Sequence, residues 1–175
     1  MINRIIGVFR LDTNTFEEIE HDTTATTQAL IVVLIVAIVS GIGSGFGASI
    51  QNGSFLSAFL TAMLSALLGW LAWSAVSWFV GTTFFGGQAD LGEMLRVIGF
   101  AYSPQLLGII PCVGGIIGAI WSLIAGFIAI RQGLDLDNTK AFLTILIGFF
   151  VYLIVFVVLG IVLGGTAALL RGITG

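Results

Sequence analysis

The chain has 175 residues, of which 58% are hydrophobic and only 9% charged, and its formal net charge is −3. Soluble domains carry roughly 25% charged residues, so a water-soluble fold has too little polar surface here to cover itself. The acidic balance also excludes nucleic acid as a partner, because that requires a basic patch. The mean hydropathy is +1.14, and several apolar runs approach the roughly 20 residues that cross about 30 Å of hydrocarbon. These features predict an all-α polytopic membrane bundle with five transmembrane helices and a short N-terminal amphipathic helix.

Residues 1–28 read as a cytoplasmic interfacial segment ahead of a membrane domain over 29–175. In the first stretch Ile2, Ile5, Ile6 and Phe9 recur at helical spacing, with Arg4 and Arg10 off that stripe. This pattern predicts a helix lying in the bilayer interface with its arginines toward the headgroups. Thr15-Phe16-Glu17-Glu18 fits a capping box and predicts a short helix over Phe16 to Glu20. Glu17, Glu18, Glu20 and Asp22 have no nearby base in the sequence, so they read as a solvated acidic face. His21, in the same segment, reads as a surface histidine.

The first span is expected over 29–48. Its second half carries Gly41, Gly43, Gly45 and Gly47, which form two small-xxx-small pairs that let a neighbouring helix approach closely. A phosphate loop needs a strand before such glycines, and this run lies inside an apolar helix. The second span, 55–80, places Trp78 where an interfacial anchor would lie. The third, 94–110, is short and broken by Ser103-Pro104-Gln105. Proline removes a backbone hydrogen bond, and in lipid the freed carbonyl needs a new partner, a role that Ser103 or Gln105 can fill. Pro111 and Cys112 open a tight turn into the fourth span, 114–130. Gly115 and Gly118 should pack that span against the third. Asp137 or Asn138 can cap the fifth, 141–163.

Five of the six basic residues, and all nine acidic ones, fall on the N-terminal side of a five-span arrangement. The bias of Lys and Arg toward the cytoplasm then places the N-terminus and the charged connections there. Asp90, Glu93, Asp135, Asp137 and Asn138 form partner-facing loops on that surface.

Three blocks resemble the Yip family of Ypt/Rab-interacting membrane proteins, and most closely its prokaryotic branch. They are RIIGVFRLDTNTFEEIEHDTTATTQALIVVLIVAI, FFGGQADLGEMLRVIGFAYSPQLLGII and AIRQGLDLDNTKAFLTIL. The resemblance implies five spans, a cytoplasmic N-terminus and a very short opposite tail. Eukaryotic members of that family bind Rab-type GTPases and one another and carry a DLYGP motif in their cytoplasmic portion; here Asp90-Leu91-Gly92 is the nearest match and lacks the tyrosine and the proline.

No pair of residues forms a nucleophile–base or metal constellation, so no enzyme activity, cofactor or metal is expected. The expected role is a membrane organiser or adaptor in a prokaryotic cell membrane. It would act on the lipid bilayer through a protein partner at the cytoplasmic face, through homo-oligomers or by membrane shaping. The alternative is a small-solute, ion or lipid transporter built on Tyr102, Ser103, Pro104 and Gln105, because broken helices line midplane sites in transporters.

Overall fold

The computed structural model describes residues 1–110, 113–154 and 157. Within them the chain is all-α: α1 (Ile2–Phe9), α2 (Thr13–His21), α3 (Ala25–Ile50), α4 (Phe55–Phe85), α5 (Leu91–Ala101), a 3-10 helix (Ser103–Ile109), α6 (Gly114–Gly133) and α7 (Asn138–Ile154). Three helices, α3, α4 and α6, are long and apolar enough to cross a membrane, and α7 is a shorter apolar helix. The expected turn at Pro111 and Cys112, and the fifth span beyond Ile154, lie outside the described residues.

Exposed apolar side chains such as Ile42, Phe46, Leu64, Leu68, Ile116 and Leu123 suit a bundle whose outer surface meets hydrocarbon. The core sits instead at one end of the bundle. It joins Phe16 and Ile19 of α2 to Val32 and Val33 of α3, to Met94, Val97 and Phe100 of α5, and to Ile130 and Leu134. α5 is the innermost element, with seven of its residues buried.

Local chemistry accounts for the boundaries. Asp12, rather than Thr15, caps α2: its carboxylate accepts from the Asn14 amide at 3.2 Å and from the Thr15 hydroxyl at 2.8 Å. The helix therefore begins earlier than the expected Phe16. The capping box instead occurs at α5, where Asp90 accepts from the Glu93 amide and the Asp90 amide donates to Glu93, both at 2.7 Å. α4 continues past Val80 until Gly86, at φ 71°, supplies the left-handed residue that ends it. Asp137 caps α7 by accepting from the Thr139 and Lys140 amides at 2.9 Å.

Pro104 changes the third apolar segment from α to 3-10 rather than bending a continuous helix. The Tyr102 amide donates to the Ile98 and Gly99 carbonyls, and the Gln105 amide to the Tyr102 carbonyl at 3.0 Å. The tighter ladder reconnects the backbone itself. The Ser103 hydroxyl is buried with no hydrogen-bond partner among the described residues, so it does not take the bridging role expected of it.

Of the expected packing glycines, Gly41 and Gly45 face α4. A Cβ at either would lie 2.9 Å or 2.6 Å from Phe59 or Phe55. Gly118 is pressed against the Pro104 carbonyl, 2.7 Å from where its Cβ would stand. Gly43, Gly47 and Gly115 have nothing among the described residues within 4 Å of that position. The Trp78 indole donates to the Ala89 carbonyl at 3.0 Å, which ties α4 to the connection before α5.

Candidate functional site

Two features stand out: a polar cap at the end where α1 and α2 sit, and a cavity deeper among the apolar helices.

The cap is bonded into the bundle through backbone carbonyls. Arg96, 5% exposed, donates from Nε to the Glu20 carbonyl at 3.0 Å, and its Nη2 reaches the same oxygen. Its other neighbours are the Thr26 hydroxyl at 3.5 Å and the Glu93 carboxylate at 4.0 Å. Trp121 of α6 donates to the Phe9 carbonyl at 2.9 Å, and Gln132 to Glu17 at 2.8 Å. α1 therefore packs along the hairpin of the 3-10 helix and α6, instead of only floating at a surface. Gly7 and Val8 are buried, Ile5 and Phe9 half-buried, and Ile2 and Ile6 exposed.

Arg4 was expected to reach toward headgroups. It instead turns inward to Glu18, Asp22 and Gln28, while Arg10 stays exposed. The acidic face thus has Arg4 and Arg96 within reach, neither of which lies in its own sequence neighbourhood. Glu20 is not solvated: it is buried. Among the partner-facing loop residues, Asp90, Glu93 and Asp137 serve as helix caps, Asn138 accepts from Arg131 at 3.0 Å, and Asp135 adopts a positive φ of 52° in the turn after α6. Among the described residues no group of three or more His, Cys, Asp or Glu could hold a metal ion.

Burial raises the Glu20 carboxyl from 4.5 to about 7, helped by the carboxylates of Asp135, Glu93 and Glu17 and opposed by Arg96. Between these two values the folded protein holds a proton that the unfolded chain has lost. Folding is therefore favoured in acid, and that contribution fades as pH rises toward about 7. Asp22 behaves oppositely: bonds from Thr24 and then Arg4 hold it down at about 2, so its contribution is lost only in strong acid. Proteolysis of residues 1–28 is expected to quicken between about pH 5 and pH 8, and Glu20→Gln should flatten that dependence. A slope that persists in the variant would assign it to another group.

The cavity has a volume of about 660 Å³ and lies between α6 and α7, backed by α3, α4, α5 and the 3-10 helix. Tyr102 and Gln105, two members of the expected kink site, line it; Ser103 and Pro104 are buried in the packing beside it. Around them converge Ser40, Ser122 and Tyr152, with Trp73 set edge-on to the Tyr152 ring at 6.1 Å. Both tyrosine hydroxyls approach Gly69, 3.9 and 4.0 Å from where its Cβ would be. The lining is otherwise apolar, and no charged side chain belongs to it among the described residues.

Sequence reasoning missed Arg96, Glu20 and Trp121, because their partners lie 76 to 112 residues away. It also missed the walls from α4 and α7. A tyrosine or serine inside an apolar run was the available signal, and only at Tyr102 did a neighbouring proline draw attention to it.

No curated protein and no solved structure matches the chain. The family model of the Yip1 domain matches residues 6–161, a stretch that takes in the second half of α1, the whole of α2, the broken third segment and every wall of the cavity. The chain therefore belongs to the Yip1-domain family of membrane proteins.

Proposed function

We propose that this protein is a non-enzymatic membrane organiser or adaptor of the prokaryotic branch, with five crossings and a cytoplasmic N-terminus. The observation that carries the reading is the cap: carboxylates from α2, the start of α5 and the α6–α7 turn gather around Glu20 on one end of the bundle. α1 and α2 are bonded to the membrane helices there rather than trailing from them. Such a face recruits a basic or mixed-charge protein, or a second copy, while exposed Ile2 and Ile6 meet the bilayer interface. The five-crossing arrangement draws support from lengths. α5 and the 3-10 helix together extend about 30 Å, the thickness of the hydrocarbon layer.

The test places photo-crosslinking residues at His21 and Lys140, which are exposed. A partner or second copy should be captured in cells and lost when Glu17 and Asp135 are replaced by lysine. Capture that survives the charge reversal, or labelling of lipid alone, would remove the adaptor role.

Transport of a small solute or lipid is the second reading, favoured by the cavity at Tyr102 and Gln105. An ion fits it poorly, since intramembrane ion paths are marked by charged side chains.

A further inference from the structure

The glycines of the third and fourth apolar segments divide into two kinds. Gly114 and Gly118 are close-packed: a Cβ at Gly114 would overlap the Leu107 carbonyl, and one at Gly118 would press on the Pro104 carbonyl. Gly108, Gly115 and Gly126 have nothing among the described residues within 4 Å of a Cβ position, and all three line the cavity. Close packing does not require these three to be glycine. Their missing side chains instead keep a space open.

The shape of that space is directional. Gly108, Gly115 and Ala119 are exposed, so the cavity opens laterally at the end of α6 remote from the cap. Ile109, Ile116 and Leu123 flank the opening, exposed to 73%, 64% and 74%. In a membrane protein these side chains face lipid tails. The opposite end closes on Ile98, Ile130 and Ile145, an apolar pocket beneath the cap. From Gly115 to Ile130 the cavity follows α6 for about 22 Å, longer than the roughly 15 Å of one leaflet's hydrocarbon.

Between mouth and closed end lie the polar atoms. The Ser122 hydroxyl is buried with no hydrogen-bond partner among the described residues. The Tyr102 and Gln105 side chains stand in the same wall. These groups are neutral donors and acceptors, suited to a hydroxyl or an ester carbonyl. With no cation beside them they offer nothing to a phosphate, whose recognition relies on charge-assisted bonds.

We infer that the cavity is a binding site for a neutral long-chain lipid, its chain in the closed end and its hydroxyl or carbonyl at Tyr102, Gln105 and Ser122. The site enters from the bilayer and leaves the cap free, so it stands or falls separately from the adaptor role. An occupied cavity is also the simpler state physically, because an apolar void forfeits the dispersion contacts of its lining.

The probe is a diacylglycerol with a diazirine in one acyl chain, presented to the full-length protein in phosphatidylcholine vesicles. A phosphatidylcholine bearing the same diazirine chain runs in parallel, and labelled residues are mapped by mass spectrometry. The diacylglycerol should label Phe127 and Ile130 inside the cavity, while the phosphatidylcholine labels only the outer faces. Gly115→Leu with Gly126→Leu should cut the inner labelling about tenfold, whereas Gly43→Leu with Gly47→Leu, on the outer face of α3, leaves it unchanged. Tyr102→Phe keeps the ring and deletes the hydroxyl; it should weaken inner labelling without lowering the thermal midpoint. Three outcomes would overturn the inference: labelling confined to exposed positions outside the cavity such as Ile120, equal inner labelling by both lipids, or inner labelling indifferent to the filling variants.

Discussion

Arg96→Ala is expected to release the cap from the bundle and to lower stability by about 3 kcal/mol. Two of its guanidinium nitrogens converge on one buried acceptor, the Glu20 carbonyl. Hydrogen bonds to charged groups contribute about 1.5–3 kcal/mol, and truncation also leaves that carbonyl and the Glu93 carboxylate short of a partner. Both elements that Arg96 ties, α2 and α5, contribute to the main core, so the loss falls on packing as well as on polar contacts. Arg96→Lys should recover only part of it, because an ammonium lacks the planar fork that reaches one oxygen from two nitrogens. The measurements are the thermal midpoint in detergent and the protease sensitivity of residues 1–28. A variant with unaltered midpoint and unaltered cleavage would show that Trp121 and Gln132 suffice to hold the cap.

Gly118→Leu is expected to be comparably harmful, at about 3 kcal/mol, while Gly115→Leu is nearly neutral. The two glycines are three residues apart on one helix and look alike in the sequence. A Cβ at Gly118 meets the Pro104 carbonyl at 2.7 Å and the Gln105 Cα at 3.3 Å. Both are backbone atoms of the 3-10 helix, so neither can swing aside as a side chain would. The added leucine forces the third segment away from α6 and loosens the wall of the cavity. At Gly115 the same side chain enters open space. Thermal midpoints of the two variants, measured side by side, separate the effects; equal losses would contradict the packing of the 3-10 helix on α6.

The all-α membrane class was legible because composition alone enforces it: apolar runs near twenty residues long must satisfy their backbone internally as helices. The broken third segment was legible at Pro104 for a similar local reason, the missing amide. Helix caps were only half legible. Asp12 and Asp90 act within three residues of their partners, yet Thr15 offered an equally plausible local pattern, and local bonding is decided by which backbone geometry the packing permits.

Everything that depends on which face of a helix meets which neighbour was decided by tertiary structure. Glycine spacing could not separate Gly41 and Gly45, pressed on α4, from Gly43 and Gly47 on the open side, because rotating the helix by about half a turn exchanges their roles. Glu20 read as a solvated acid until α5 brought Arg96 beneath it and the α6–α7 turn brought Asp135 near. Burial and the surrounding charge are sums over residues distant in sequence, and no local window contains them. The cavity is the strongest case. It is made where six helical elements fail to fill the space between them, and an unfilled volume has no residue of its own to announce it. By itself the sequence determined the kind of solvent this chain is built for and where its helices start to fail; the pairing of helix faces decided which charges are buried and where a ligand has room.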